Sequence, residues 1–476
     1  RLWNIQPLDG IELSPYQQDS VVYAARRNWR VLIADEMGTG KTFQGLACVS
    51  QAQAFPCIVV CPASLKLNWR AEIARALPSA TVQIIKRGKD KIKGRPDFLI
   101  VNYDLLKAKL VNPRKRLFAP GDLLKRLLGL SPGGMIVDES HYVKEDSSQR
   151  TRAVEALAQH VHCRILMTGT PVVNRPAELI PQLRILGLLD REFGGKWAFA
   201  RRYCRAHKGR FGWDITGADN LGELHNKLTE LCMLRRTKAQ VMPELGNKAQ
   251  HRVTLPLNNS GEYARAEREF LAYLRDKKGA QAARKARRAE ALAKLTTLRR
   301  LAGIGKVKAA TEWCKRFLHA GESLIVFAAH IDAQQGLAEA FGADAITILG
   351  TDTIKQRHAA VQRFQASTKP LIAVCSLKAA AEGLTLTRAC HVAFLELGWT
   401  PKDLAQASDR SHRRGQTRPV SVWKLIADDT IDCVIERVLE QKSRVVTRTV
   451  DGGVRPDVSG VSTQEEVLRH YEQIVL

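Results

Sequence analysis

Val31-Leu32-Ile33-Ala34-Asp35-Glu36-Met37-Gly38-Thr39-Gly40-Lys41-Thr42 is an apolar run, then a glycine-bearing turn, then the start of a helix-like stretch. A buried strand that turns in this way into a helix aims backbone N–H groups and the positive end of the helix dipole at whatever sits in the turn. Gly38, Thr39 and Gly40 would then line a phosphate, Lys41 would reach its β and γ positions, and Thr42 would offer a hydroxyl to Mg²⁺. The general phosphate-loop pattern carries Gly where this chain has Asp35.

Working outward, short apolar runs recur at 31–34, 57–61, 82–85, 98–101, 135–137 and 165–167. Continuous Val/Ile/Leu runs of this length read as strands buried on both faces, and the spacers are long enough for crossover helices, so the segment is α/β with a parallel sheet. After Ser64, the residues Leu65, Trp69, Ile73 and Leu77 fall on one face of a helix. A second series follows at 324–328, 346–349, 371–375, 392–397 and 420–426, so the same architecture appears twice. Between the two, residues 190–321 are poor in strand-like runs and dense in charge. Within 275–300 stand Arg275, Lys277, Lys278, Arg284, Lys285, Arg287, Arg288, Lys294, Arg299 and Arg300 against Asp276 and Glu290, in an Ala-rich setting that favours helix. That stretch reads equally as a solvated face or as a nucleic-acid-facing helix or linker. The domains expected are 1–189, a helical basic insertion and linker at 190–321, a second lobe at 322–449 and a C-terminal tail at 450–476.

The composition fits. A chain of 476 residues, 45% hydrophobic, holds two or three ordinary cores, which excludes disorder and a small disulfide scaffold. Ten cysteines are scattered with no C-x-x-C pair, so they are expected to be reduced and mostly buried. No run approaches the ~20 apolar residues of a membrane helix, and the start, Arg1-Leu2-Trp3-Asn4, lacks a signal-peptide pattern, so a soluble intracellular protein is expected. The first residue is not Met, as in a fragment. With 74 Lys+Arg against 48 Asp+Glu the formal net charge is +26, which points to a polyanionic partner.

Two further clusters carry chemistry. Met135-Ile136-Val137-Asp138-Glu139-Ser140-His141 puts two acids at the carboxyl end of an expected strand, where parallel sheets place their ligands. Asp138 is suited to hold Mg²⁺ and Glu139 to orient and deprotonate an attacking water, the division of labour that phosphoryl transfer needs. Far downstream, Gln406-Ala407-Ser408-Asp409-Arg410-Ser411-His412-Arg413-Arg414-Gly415-Gln416 sets Arg410 and Arg413 three apart, on one face if the segment is helical. Arginines so placed read either as the solvated face of a basic helix or as a pair that stabilises charge on a transferring phosphoryl group.

In this order the motifs resemble those of the Swi/Snf-family ATPases of helicase superfamily two, over about residues 11–440. Leu13-Ser14-Pro15-Tyr16-Gln17 resembles the adenine-reading Gln motif, with Ser14 where Arg is usual. Residues 35–42 match motif I in its family form, Asp35 included. Cys61-Pro62-Ala63-Ser64-Leu65 with Trp69 resembles motif Ia, Asn102-Tyr103-Asp104 motif Ib, and Thr168-Gly169-Thr170-Pro171 with Asn174 motif III. Ser376 with Ala380-Ala381-Glu382-Gly383-Leu384-Thr385 is similar to motif V, and 406–416 to motif VI. Motif II reads Asp-Glu-Ser-His, and Arg202-Tyr203-Cys204, Arg210-Phe211-Gly212-Trp213-Asp214, Met233-Leu234-Arg235-Arg236-Thr237-Lys238 and Gly398-Trp399-Thr400-Pro401 look most like the annealing-helicase (HepA-related) branch. Lys144 is followed by Glu145, where the family usually has Asn, and the accessory modules of the branch's eukaryotic members are not visible.

The resemblance implies two RecA-like parallel-sheet lobes that sandwich ATP and Mg²⁺. The first would supply Gln17, Gly38, Thr39, Gly40, Lys41, Thr42, Asp138 and Glu139, and the second Gly383, Arg410 and Arg413. It implies DNA contacts, mainly to phosphates of a duplex or fork, at Lys66, Asn102, Ser376 and Thr385. His141, Thr168, Thr170 and Gln406 would relay nucleotide state, or serve as ordinary packing and capping residues. The expected activity is DNA-stimulated ATP hydrolysis coupled to movement on duplex DNA, with reannealing or fork remodelling. The alternatives are a protein-displacing motor such as an RNA-polymerase recycling ATPase, and a catalytically silent nucleic-acid scaffold. A monomer is expected, in the cytoplasm or nucleoid of a bacterial or phage source or the nucleus of a eukaryotic one.

Overall fold

The apolar runs form strands because each is buried along its length. In the computed structural model, which describes residues 8–112, 117–173, 175–209, 212–275, 283–377, 384–451 and 462–475, the first sheet contains β1 (Arg30–Ile33), β2 (Cys57–Cys61), β3 (Val82–Ile84), β4 (Phe98–Asn102), β5 (Gly134–Asp138), β6 (Cys163–Met167) and β7 (Met233–Leu234). The order is β7-β1-β6-β5-β2-β4-β3, and every pairing is parallel. Alternate residues of each strand enter opposite faces, so Leu32, Ile58 and Val60 join one core while Val31, Ile33 and Val59 join the other. Helices cover both faces of the sheet, Lys41–Gln51 and Lys66–Ala76 on one and Gln149–Gln159 and Leu179–Leu186 on the other. In Lys66–Ala76, Trp69, Ile73 and Ala76 are the buried residues.

The second sheet contains β8 (Lys248–Thr254), β9 (Leu324–Ala328), β10 (Ala345–Ile348), β11 (Ile372–Ser376), β12 (His391–Phe394) and β13 (Val420–Ile426) in the order β8-β13-β12-β9-β11-β10, again all parallel. It too separates two cores, with Ile325 and Phe327 on one side and Leu324, Val326 and Ala328 on the other.

The chain divides into two units, 1–241 with 444–460 and 242–443 with 461–476. This corrects the expected boundaries. Residues 190–321 are not a separate insertion, because Met233–Leu234 is the edge strand of the first sheet and Lys248–Thr254 the edge strand of the second. The basic stretch runs into a 37-residue helix, Ala283–His319. Its Arg299 is buried, donating to the Leu397 carbonyl and lying 4.5 Å from the centre of the Trp399 ring. Arg300 pairs with Asp332, and Arg288 with Glu465 of the terminal helix Thr463–Val475. Part of that charge therefore faces the protein itself. The terminal helix buries Val467, Leu468 and Tyr471 in the second lobe, so the end of the expected tail is part of that core. All ten cysteines are free thiols, nine of them buried. Among the described residues no helix is long and apolar enough to cross a membrane.

Candidate active site

Parallel pairing brings the carboxyl ends of all seven first-lobe strands to one rim. Across it, in sheet order, stand Arg236 after β7, the Asp35–Lys41 turn after β1, Thr168 after β6, Asp138 and Glu139 at β5, Pro62 to Lys66 after β2 and Asn102 at β4. Gly38 and Gly40 adopt φ of 85° and 75°, the left-handed region that only Gly enters without cost. Gly40 has a second constraint, since a Cβ there would lie 2.6 Å from Gln17 Nε2.

The turn is tied down from its own side of the sheet. Thr39 Oγ1 donates to the Glu36 carbonyl at 2.8 Å, and the Thr39 carbonyl accepts from the Tyr16 hydroxyl at 2.7 Å. Gln17 is buried, its amide reaching the Thr39 and Gly40 carbonyls at 3.4 Å while its oxygen accepts from Ser14 N–H at 3.0 Å. Lys41 Nζ donates to the carbonyls of Asp35 at 2.9 Å and Glu36 at 3.0 Å. Burial pushes its ammonium below the usual lysine range, against the opposing pull of Glu139, Asp35 and Asp138.

Asp35, fully buried, explains its own departure from the general pattern. Arg236 Nη2 lies 2.6 Å from Asp35 Oδ2, and Arg236 Nε and main-chain N–H donate to Oδ1 at 3.1 and 3.0 Å. The same guanidinium donates to Ser20 Oγ at 2.6 Å and to the Tyr16 carbonyl, so one side chain joins the phosphate turn, the helix Pro15–Ala25 and the segment after β7. Arg235 donates to the Ala34 carbonyl at 2.7 Å. Sequence reasoning quoted Arg235 and Arg236 without giving them a task. The signal was the acid at position 35, since a buried carboxylate needs a cation.

Asp138 Oδ2 accepts from Trp69 Nε1 at 2.8 Å and Oδ1 from Glu139 N–H at 2.9 Å, while its carbonyl accepts from the Tyr103 hydroxyl at 2.5 Å. Burial and the neighbouring Glu139 carboxylate push the Asp138 carboxyl well above the usual carboxylate range. Glu139 has φ 51°, and its Oε2 lies 3.1 Å from His141 Nδ1 and 3.4 Å from Thr168 Oγ1. His141 and Thr168 meet at 3.1 Å, and Thr170 N–H donates to Thr168 Oγ1 at 3.1 Å, so these four residues form one cluster. Ser140, in the variable position of the motif, is buried and donates to Gln182 Oε1 at 2.8 Å, and Gln182 Nε2 donates to the Pro171 carbonyl at 2.8 Å. Lys66 Nζ donates to Asn102 Oδ1 at 2.9 Å and the Ile85 carbonyl at 3.0 Å.

In the second lobe the helix Pro401–Ser408 holds Gln406, which is buried. Arg410 and Arg413 lie beyond its end, in consecutive turns, which corrects the expectation of a shared helical face. The chain leaves the helix because its polar side chains are bonded elsewhere. Asp409 pairs with Lys248 at 3.0 Å, Ser411 donates to the Ala389 carbonyl, and Gln416 Nε2 donates to the Thr387 and Ala389 carbonyls at 2.9 and 3.0 Å. The arginine segment nonetheless meets the residues around Thr385. Arg413 Nη1 donates to the Leu384 carbonyl at 3.0 Å, and the Arg410 carbonyl accepts from Leu386 N–H at 2.9 Å. Ser376 is buried at the end of β11. Gly383, Asn174, Arg210 and Phe211 lie outside the described residues.

Comparison with known proteins gives the same order of parts. The SNF2-related domain matches residues 16–302 and the Helicase conserved C-terminal domain residues 306–415. The chain is 33% identical over 458 residues to the human DNA annealing helicase and endonuclease ZRANB3, covering 93% of this chain and 40% of that protein. It is 32% identical over 453 residues to the Drosophila melanogaster SWI/SNF-related matrix-associated actin-dependent regulator of chromatin subfamily A-like protein 1, covering 94% of this chain and 57% of that one. The chain thus spans about two fifths to three fifths of the length of these relatives. A Sulfolobus solfataricus SWI2/SNF2 ATPase core in complex with dsDNA is similar at 23% identity, with a TM-score of 0.43 over 94% of each chain. With the phosphate turn, the acid pair and a domain match over more than half its length, the chain belongs to the SNF2-related family.

Proposed function

We propose that this chain is an ATP-dependent DNA translocase, hydrolysing ATP under the stimulus of duplex or forked DNA and using the cycle to remodel or reanneal it. The observation that carries the reading is the single rim on which a left-handed glycine turn, a lysine and an aspartate–glutamate pair stand together. The names of the relatives, a DNA annealing helicase among them, support the DNA part.

On this reading Lys41 exchanges the Asp35 and Glu36 carbonyls for phosphate oxygens, and the turn's N–H groups hold the rest of the chain of phosphates. Gln17, already bonded to the turn's carbonyls, couples adenine recognition to the shape of the turn. Glu139 takes the proton of the attacking water, aligned by His141 and Thr168, and Thr170 carries the state of that cluster outward. Arg410 and Arg413 neutralise charge on the transferring group. The donors suit Mg²⁺. Each Asp138 oxygen keeps a lone pair beyond the bond described, and the Thr42 hydroxyl makes no hydrogen bond among the described residues. Both are hard oxygen ligands. Bound there, the ion would offset phosphate charge. Lys66, Asn102, Ser376 and Thr385 are assigned to the DNA backbone. The reading puts the protein with the chromosome, in cytoplasm, nucleoid or nucleus according to source.

The test is steady-state ATP hydrolysis with no nucleic acid, single strands, duplex, forks and RNA in parallel. Duplex or forked DNA should raise turnover, and Lys41→Ala, Glu139→Gln or the pair Arg410→Ala and Arg413→Ala should each cut it by about 10²–10⁴-fold with DNA binding retained. Turnover indifferent to every DNA would overturn the reading.

A further inference from the structure

Residues 86–95, Lys-Arg-Gly-Lys-Asp-Lys-Ile-Lys-Gly-Arg, begin one residue beyond the outermost strand of the first sheet, β3, and carry six basic side chains and one acid. The loop is held by its backbone. Asp90 Oδ2 accepts from Lys86 and Arg87 N–H at 2.8 and 2.9 Å. Arg126 donates to the Asp90 carbonyl at 2.6 Å and to that of Gly88. Gln83 donates to the Lys91 carbonyl at 2.8 Å and accepts from Lys93 N–H at 2.9 Å. The acid is occupied by N–H groups, while Lys86, Arg87, Lys89, Lys91, Lys93 and Arg95 are exposed and make no side-chain hydrogen bond or ion pair among the described residues. Ordered backbone with free cations suits a phosphate backbone, because the side chains need little reorganisation to release its counterions.

Hydrogen bonds joined by short stretches of chain lead from this loop along the rim to Asp138. The Ile85 carbonyl, one residue before the loop, and Asn102 Oδ1 both accept from Lys66 Nζ. Three residues after Lys66, on the same helix, Trp69 donates to the Asp138 carboxylate. One residue after Asn102, Tyr103 donates to the Asp138 carbonyl. Trp69 and Tyr103 are both buried, so close packing holds each in the orientation that meets Asp138.

We propose that the 86–95 loop is a landing site for a nucleic-acid phosphate backbone, and that its occupancy is read at Asp138 through Trp69 and Tyr103. These two are positioning residues, and the inference rests on the ATPase reading above. A shift of the loop or of Lys66 re-aims the donors on Asp138, so DNA bound at the sheet edge changes the geometry of the central strand. An anionic lipid surface is the competing occupant, and the loop's place on the rim that carries the phosphate turn favours nucleic acid.

The experiment uses the full chain and a duplex oligonucleotide, measuring affinity over a salt series and the ratio of turnover with and without duplex. Lys89→Glu, Lys91→Glu and Lys93→Glu together should weaken affinity more than tenfold and reduce the slope of log K against log salt by about 0.9 for each phosphate no longer neutralised. Tyr103→Phe removes one hydroxyl, and Trp69→Phe one N–H. Both should leave duplex affinity and its salt slope within about twofold of wild type, yet lower the stimulation ratio at least fivefold. Wild-type stimulation in both single variants overturns the proposal, as does a triple variant that loses binding to phosphatidylserine vesicles but not to duplex. Absence of stimulation in the wild type itself would instead sink the ATPase reading, and this inference with it.

Discussion

Replacing Arg236 by alanine strips the buried Asp35 of its cation and leaves the helix Pro15–Ala25 tied to the turn only through the bonds of Tyr16, Gln17 and Ser20. Removing one partner of a buried pair costs about 3–5 kcal/mol, because a charge is left without compensation. Here Asp35 keeps two donors, Gln44 Nε2 at 3.1 Å and the main-chain N–H of residue 236 at 3.0 Å, so the lower end, about 3 kcal/mol, applies. At about 1.4 kcal/mol per tenfold, this raises local opening by about 150-fold. Hydrogen exchange of amides in Pro15–Ala25 reads that equilibrium directly, and does not require the two units to unfold as one. Asp35→Ala should cost less, since Arg236 is 15% exposed and can reach water where Asp35 at 0% cannot. The double variant, with no orphaned charge, should exchange more slowly than Arg236→Ala alone. If Arg236→Ala speeds exchange by under threefold, or if the double variant shows the plain sum of the single costs, the clamp is not what holds the turn.

Two other perturbations test charge pairs away from the turn. Burial alone would raise the Asp146 carboxyl, but Lys196 at 2.5 Å and Arg184 at 2.6 Å more than reverse this and hold it at about 2. A depressed acid stabilises the fold above its unfolded value near 4, and that contribution is lost as pH falls toward 2, so Asp146→Asn should cost about 2 kcal/mol at neutral pH and almost nothing at pH 2, by chemical denaturation at each pH. In the second lobe, fully buried Lys306 sits 2.5 Å from Asp432 and donates to the Leu425 carbonyl at 2.7 Å. Lys306→Met should destabilise by about 3–5 kcal/mol in calorimetry, and adding Asp432→Asn should recover part of the loss, since it removes the orphaned charge.

Eleven of the strands announced themselves as apolar runs because parallel strands covered on both faces must be apolar throughout. The two edge strands that join lobe to linker did not. Lys248–Thr254 is largely exposed, with Lys, Gln, His and Arg along it, and Met233–Leu234 is too short to carry a period. Those two strands are why the inserted segment looked separate. The phosphate turn and acid pair were legible because their chemistry fixes residue type and order locally. Trp69 was legible only as a core residue, since nothing in helical spacing says that its N–H meets a carboxylate 69 positions away. Arg410 and Arg413 show the opposite failure, where a spacing of three suggested a helix that the bonds of Asp409, Ser411 and Gln416 had already ended.

The partner of Asp35 is 201 positions further along the chain. At a synthesis rate of about 5–20 residues per second, Asp35 leaves the ribosome about 10–40 s before Arg236. During that interval the nascent polypeptide holds an acid destined for the interior without the guanidinium that meets it in the fold, so the glycine turn gains this contact only when nearly the whole lobe has been made. A ribosome that stalls or terminates before Arg236 therefore releases a product whose Asp35 lacks its cation and whose glycine turn keeps only the bonds from Tyr16 and Gln17.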